Sequence, residues 1–183
     1  MDYLDLYKKE IVPAFKKEFG FTNDLAVPRL EKIVLNIGTG DSLSNDKEKE
    51  TLLAELSAIS GQKPSIRRAK KAIAGFKIRQ GDPVGVKATL RGKRMYDFLH
   101  KLVSIVLPRV RDFRGLDYKS IDKLGGFSLG FREHIVFPEI DVAKIGKYRG
   151  LQVTVATTSK DPKQTKRLLE LFGVPFKKEE TKG

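Results

Sequence analysis

The residues with the clearest capacity for chemistry are cations crowded into one short segment. From Gln62 to Arg94 the chain carries eleven basic residues and one acid, Asp82, for a net charge of +10, whereas the other 150 residues carry only +3. Such a concentrated positive field attracts a polyanion by steering and counterion release. The alternatives are an ordinary solvated surface and an anionic membrane, although the segment is not the amphipathic helix that a membrane anchor needs. The basic residues are Lys63, Arg67, Arg68, Lys70, Lys71, Lys77, Arg79, Lys87, Arg91, Lys93 and Arg94.

Within this segment, the string GFKIRQGDPVG (75–85) interleaves apolar and cationic side chains. Phe76 and Ile78 alternate with Lys77 and Arg79. An exposed aromatic ring can stack on a nucleotide base while neighbouring cations hold phosphates, and an exposed apolar pair is costly without a partner. We therefore predict a nucleotide-contacting loop over 71–82. The alternative is a hairpin whose two apolar side chains pack into the core.

A second string, PRVRDFRG (108–115), gathers three arginines around Phe113. The planar guanidinium group suits phosphate or carboxylate ligands. Contact with a partner and internal pairing with nearby aspartates both remain open. The arginines are Arg109, Arg111 and Arg114, and the aspartates are Asp112 and Asp117.

Enzymatic signatures are weak in this chain. It has no cysteine, no HExxH or GxSxG string and no phosphate-binding P-loop, so we predict no catalytic residue, metal or cofactor. His100 is expected on a helix surface and His134 in a strand with an internal hydrogen bond. The string 38–40 (GTG) predicts a turn after a strand, and a nucleotide-using enzyme built on it, which would need a parallel sheet, is the first rival hypothesis.

Periodicity predicts the elements that position these groups. A helix is predicted over 3–19, with an interruption at Pro13. A second helix is predicted to begin at a capping box formed by Asn45 and Glu48 and to end before Gly61. A third is predicted over 93–107 and is closed by Pro108. Asp161 and Pro162 begin a last helix that stops at Gly173. Residues 109–130 are predicted as loop. Strands are predicted at 29–37, 64–70, 83–90, 132–137 and 151–155.

This order predicts an α+β fold: a largely antiparallel sheet with helices on one face, in a split βαβ arrangement with an RRM/ferredoxin-like core. We predict a single domain over 1–183, with a loop at 71–82 and a frayed tail at 177–183. Side chains alternate along a strand, so Lys87 and Thr89 must oppose the apolar stripe of their strand, with Asn36 and Gln62 beside them. Such polar groups on an open sheet face suit RNA.

Six strings in order resemble the bacterial large-subunit ribosomal protein family number five, and the resemblance covers about residues 3–178. They are VLNIGTG (34–40), LSAISGQKP (56–64), AGFKIRQGDPVGVKATLRG (74–92), PRVRDFRGL (108–116), HIVFPEI (134–140) and FGVPF (172–176). The resemblance implies a structural protein of the cytoplasmic ribosome that attaches 5S rRNA in the central protuberance. It also implies 23S rRNA, neighbouring large-subunit proteins, peptidyl-site tRNA and a small-subunit head protein as partners, with no membrane. The N-terminus likewise lacks the pattern of a secretory signal.

The resemblance assigns rRNA contacts to Asn36, Gln62, Lys63 and Thr89, to which the charge pattern adds Arg67, Lys87 and Arg91. It assigns the tRNA-side loop to Phe76, Lys77, Arg79 and Gln80. Arg109, Arg111 and Arg114 are candidate bridge or RNA contacts. The string IDKLGGFSLG (121–130) departs from the family pattern and receives no site residue. The second rival hypothesis is a non-ribosomal RNA chaperone with the same sheet surface.

Overall fold

The computed structural model describes residues 2–39, 45–111, 113–141 and 147–177. They group into two compact units. Unit 1 comprises Met1–Lys32, Arg91–Ser128 and Val155–Gly183, and unit 2 comprises Ile33–Leu90 and Leu129–Thr154. The single domain stays a prediction. Most of the predicted frayed tail, 178–183, lies outside the described residues, and the Lys177 amide donates to the Leu116 carbonyl at 2.9 Å.

Five strands form one sheet in the order β2-β3-β1-β5-β4. Because β3 runs antiparallel to both β1 and β2, these two strands are parallel to each other with β3 between them. A helix connects them along the chain, so the predicted split βαβ arrangement and α+β class are confirmed. The strands are β1 (Leu30–Gly38), β2 (Ser65–Arg68), β3 (Pro83–Leu90), β4 (Phe127–Phe131) and β5 (Leu151–Thr157).

The fourth strand does not lie where the sequence pattern puts it. The strand predicted at 132–137 is wrong: residues His134–Val136 form a 3-10 turn, in which the Phe137 amide donates to the His134 carbonyl at 3.2 Å. A turn lets His134 and Phe137 both be buried three positions apart. Strand β4 instead forms within the predicted loop, where Phe127 and Phe131 bury their rings on one side.

Pro13, expected to interrupt a helix, and Pro108, expected to close one, both lie just after a wide, π-helical turn. Helix α1 (Tyr3–Leu6) leads into a π stretch (Tyr7–Ile11) and then α2 (Val12–Phe19), while α4 (Lys93–Lys101) leads into a π stretch (Leu102–Val106) and then α5 (Leu107–Arg109). Proline lacks the amide hydrogen that an α-helical turn needs, and the π pattern accommodates this loss. Pro108 therefore lies within the last turn, and the prediction that it closes the helix is wrong.

Unit 2 buries one sheet face beneath helix α3 (Asp46–Ser60), which packs on β3. The Asn45 carboxamide oxygen accepts from the Lys47 amide at 3.1 Å, and Gly61 ends the helix in the left-handed conformation (φ 67°). The predicted helix start and stop are thus confirmed, but the capping box is not formed, because Glu48 pairs with Arg149 instead. The buried side chains are Ile33, Leu35, Ile37, Leu52, Leu56, Ile59, Val86, Ala88 and Leu90.

Unit 1 is built from the helices at both ends of the chain and from α4. Helix α6 (Pro162–Leu171) begins at the predicted cap, where the Asp161 carboxylate accepts from the Lys163 amide at 2.9 Å. Arg167 on this helix donates to Glu18 on α2 through Nε at 2.7 Å. Burial raises the pKa of the Tyr96 phenol to about 12, as expected for a ring packed in the interior of this unit.

Candidate nucleic-acid interface

The polar face of the sheet in unit 2 is assembled by strand register. Lys87 on β3 lies opposite both Asn36 on β1 and Ser65 on β2, and Thr89 lies opposite Val34. Because paired residues share a face, these side chains project away from the buried stripe, and Asn36, Lys87 and Thr89 are half-buried. The predicted alternation is confirmed. We call this surface, with the residues that join it below, the open face.

Gln62 lies beside this face but is partly committed to the fold. Its Nε2 donates to the Thr89 carbonyl at 2.9 Å, and its own carbonyl accepts from the Ser60 hydroxyl at 2.9 Å. The side chain therefore ties the turn after α3 to the end of β3. The residue is half-buried, and this tie gives Gln62 a positioning role that the sequence pattern did not indicate.

Several open-face residues were missed at the sequence level. Ser65 shares the row of Lys87 and donates to its carbonyl at 3.2 Å. Gln152 and Thr154 alternate with the buried Leu151, Val153 and Val155 of β5, so they project to the same side as the polar row. The alternation in β5 was a sufficient signal for the last two, whereas the position of Ser65 depends on its register with β3.

The predicted cations are exposed at the surface, with Lys87 half-buried. Arg67 lies opposite Gly85 on the open face, and Lys63 is exposed in the turn before β2. Within the described part of the chain, Arg91 pairs with Glu31 at 3.8 Å, and the other ten basic residues of 62–94 form no ion pair. Eight of the eleven belong to unit 2; Arg91, Lys93 and Arg94 belong to unit 1. Uncompensated cations of this kind are typical of a surface that meets a polyanion.

The segment 69–82, which we call the arm, is a hairpin-like extension between β2 and β3. Ile73 and Ile78 exchange backbone hydrogen bonds near its tip, where a 3-10 turn (Ala74–Phe76) is followed by Lys77 in the left-handed conformation (φ 53°). Phe76 is 63% exposed, so the alternative in which its ring packs into the core is wrong for this residue, whereas Ile78 is half-buried. The remaining predicted tip side chains, Lys77, Arg79 and Gln80, are exposed.

The arginine-rich segment of unit 1 presents its cations to solvent. Arg109, Arg111 and Arg114 are exposed and form no ion pair among the residues that the structure describes. Asp117 accepts from the Lys119 amide at 3.0 Å, which uses its carboxylate as a turn cap rather than as an arginine partner. The other proposed partner, Asp112, lies outside the described residues. Among the described residues, the three guanidinium groups therefore have no carboxylate partner and are open to solvent.

His100 has the surface environment expected of it, and His134 has the expected internal hydrogen bonding, although it lies in a 3-10 turn and not in a strand. His134 is fully buried with Nδ1 3.1 Å from the Arg149 carbonyl oxygen and Nε2 3.2 Å from Glu55 Oε2. Glu55 and the Arg149 carbonyl outweigh burial and raise the pKa of His134. His100 is exposed, and its ring packs edge-on against the Tyr3 ring with 4.9 Å between the ring centroids. In the described ranges no group of three or more acidic or histidine side chains could hold a metal ion.

The geometry around Thr39 opposes the nucleotide-enzyme hypothesis. Its amide and hydroxyl both donate to the Val84 carbonyl, at 3.1 and 3.0 Å, so they extend the pairing of β1 with β3 instead of facing a phosphate. That pairing is antiparallel, whereas the hypothesis required a parallel sheet. Gly40 lies outside the described residues.

Among the helices described, none is long and apolar enough to cross a bilayer.

The atypical string 121–130 forms a tight turn that leads into β4. The Asp122 carboxylate accepts from the amides of Leu124 and Gly126 at 2.9 and 2.6 Å, and the Gly125 carbonyl accepts from the Thr157 hydroxyl at 2.8 Å. Leu124 at the tip is 79% exposed. The departure in sequence is therefore compatible with an ordered turn.

Comparison with known proteins covers most of the chain. Residues 23–79 match the family described as "Ribosomal protein L5", and residues 83–176 match the model for the C-terminus of the same ribosomal family. Large ribosomal subunit protein uL5 of Carboxydothermus hydrogenoformans is 53% identical over 172 residues, which span 94% of this chain and 96% of the relative. The uL5 proteins of Caldanaerobacter subterraneus subsp. tengcongensis and Acidobacterium capsulatum are 54% and 53% identical, over 94% and 92% of this chain and 96% and 93% of theirs. The chain therefore belongs to the uL5 family of large ribosomal subunit proteins, which are structural, non-enzymatic components of the ribosome in the cytoplasm.

Proposed function

We propose that this chain binds 5S rRNA through the open face of unit 2 and so attaches it in the central protuberance of the large subunit. The observation that carries the proposal is the row of Ser65, Lys87 and Asn36, which is flanked by the exposed cations Lys63 and Arg67. Cations hold phosphates, while the amide and hydroxyl groups hydrogen-bond 2′-hydroxyls and base edges. Thr89 and Gln62 are the remaining proposed contacts in this unit, and Arg91 is the proposed contact in unit 1.

The test is the salt dependence of 5S rRNA binding, measured by filter binding. If about 6 to 8 phosphates are neutralised, log K should fall with log salt at a slope of roughly −4 to −7. The double variant Lys63→Ala with Arg67→Ala should reduce this slope by about 2. The matched control removes two other exposed cations of unit 2, Lys47 and Lys147, and should change the slope little. An equal reduction of the salt-dependence slope in both double variants would refute the assignment of 5S rRNA binding to the open face.

We further propose that the arm contacts peptidyl-site tRNA. Its exposed Phe76 and the neighbouring cations suit stacking with phosphate contact. Replacing Lys77 and Arg79 by alanine should leave 5S rRNA affinity nearly unchanged and should lower crosslinking between this protein and peptidyl-site tRNA in assembled ribosomes. Loss of 5S rRNA binding in this double variant would contradict the division between the open face and the arm.

The exposed arginines of unit 1, Arg109, Arg111 and Arg114, are proposed contacts to either rRNA or the small-subunit head. Replacing all three by alanine distinguishes the two. Weaker association of the ribosomal subunits, with 5S and 23S rRNA protection unchanged, would assign them to the bridge. Unchanged association of the subunits, with weaker protection of 5S or 23S rRNA, would assign them to rRNA.

A further inference from the structure

The base of the arm is closed by a small set of hydrogen bonds that converge on its last residues. The Ala69 amide donates to the Asp82 carbonyl at 2.8 Å, and the Gly81 amide donates to the Ala69 carbonyl at 2.9 Å. From β2, Arg68 donates through Nη1 to the Gly81 carbonyl at 3.0 Å. These bonds hold the two ends of the arm together where it leaves the sheet.

Asp82 contributes a further bond through its side chain. Its Oδ2 accepts from the Arg79 backbone amide at 2.8 Å, while its own amide donates to the Arg79 carbonyl at 3.2 Å. Gly81, inside this turn, has φ +91°, a conformation that side chains other than glycine rarely adopt. Two hydrogen bonds therefore close the turn at 79–82, one between backbone groups and one to the Asp82 carboxylate. This turn lies directly beside the cations at the tip of the arm.

The position of this carboxylate conflicts with polyanion binding. Asp82 is the one acidic residue among the 33 from Gln62 to Arg94, and a negative charge there repels the phosphates that the segment attracts. Since a side-chain acceptor competes strongly for local backbone donors, its structural bond to Arg79 accounts for an acid in this place. The bond requires an acceptor oxygen and does not require the charge.

We propose that Asp82 is a positioning residue for the arm: its carboxylate oxygen fixes the turn at 79–82 and thereby the direction in which Phe76, Lys77 and Arg79 are presented. The functional part of this inference rests on the proposed contact of the arm with tRNA. Asn at position 82 retains an acceptor oxygen and loses the charge, whereas Ala loses both. The two substitutions therefore separate the hydrogen bond from the electrostatics.

The experiment measures backbone amide exchange at Arg79 in the free, full-length protein and tRNA crosslinking in ribosomes. Asp82→Ala should accelerate exchange at Arg79 by about tenfold and lower crosslinking. Asp82→Asn should preserve protection within about twofold, with crosslinking and 5S rRNA affinity equal to or above those of the native chain. Glu50→Gln, on the exposed surface of α3, makes the same change in net charge elsewhere and should alter neither measurement.

Unchanged exchange at Arg79 in Asp82→Ala, or an Asp82→Asn variant that behaves like Asp82→Ala, would overturn the inference. Gly81→Ala is a second probe, because it strains the same turn without meeting any neighbouring atom, and it should reproduce the effect of Asp82→Ala. The proposed tRNA contact has its own test, which is the removal of the Lys77 and Arg79 side chains. If their removal leaves crosslinking intact, the proposed tRNA role fails, while exchange at Arg79 still decides the role of Asp82.

Discussion

The two faces of the sheet in unit 2 use the same strands for opposite purposes. On the covered face, Leu35, Val86 and Ala88 are at most 2% exposed, while their immediate neighbours Asn36 and Lys87 remain accessible on the open face. The charges divide in the same way: residues 62–90 carry a net +7, whereas helix α3, packed on the other side, carries −2. A shift of one residue along a strand thus separates a core position from a position on the open face, where we propose that RNA binds.

The largest expected effect breaks the covered face. Leu35→Ala should lower the free energy of unfolding by about 3 kcal/mol, because it leaves a cavity in a fully buried site. Asn36→Ala, at the next position, should change that free energy by less than about 0.5 kcal/mol and should instead weaken 5S rRNA binding. Urea unfolding and filter binding measure the two quantities. The comparison fails if Asn36→Ala costs as much stability as Leu35→Ala.

A second pair of substitutions tests how closely β1 and β3 approach. Gly38 and Gly85 lie opposite each other, yet a Cβ at Gly85 would lie 2.6 Å from the Ile37 carbonyl oxygen, whereas one at Gly38 meets nothing within 4 Å. Gly85→Ala should therefore destabilise the protein by about 2 kcal/mol through overpacking, and Gly38→Ala should have little effect on stability. Thermal unfolding of both variants provides the measurement. Equal melting temperatures would mean that the strands can separate at low cost.

The smallest effect concerns the buried His134 and its half-buried partner Glu55 on α3. The raised pKa of His134 means that the folded state binds its proton more tightly than the unfolded chain. The resulting stabilisation is fully present below the ordinary value of 6.5 and is lost as the pH rises through the raised pKa. Urea unfolding between about pH 5.5 and 8.5 should show this loss, and Glu55→Gln should flatten it.

Arg149 also faces His134, and its own side chain pairs with Glu48 at 3.2 Å. Glu48→Gln therefore serves as the control, because it removes a carboxylate that does not contact the imidazole. Identical pH dependence in the native chain and in Glu55→Gln would show that the Glu55 contact does not control this titration.

Local alternation was enough to predict the polar face of the sheet, because a period of two leaves only one side for Lys87 and Thr89 once Val86 and Ala88 are buried. It was not enough where long-range partners decide. The carboxylate that His134 contacts is Glu55, 79 positions earlier, and the bond from Gln62 to Thr89 spans 27 positions. In β4 the alternation of Phe127, Leu129 and Phe131 was visible, but the adjacent glycines favoured a loop assignment.

The π-helical turns before Pro13 and Pro108 have a consequence for side-chain placement. In an ordinary α-helix, residues spaced by four drift around the axis by about 40° at each step. Tyr7, Ile11 and Phe15 keep that spacing and are all buried, and so are Phe98, Leu102 and Val106. A widened turn absorbs the accumulated rotation, which lets a strict four-residue repeat stay on one side. An apolar repeat of four that ends near a proline is thus a recognisable sequence signature of a locally underwound helix.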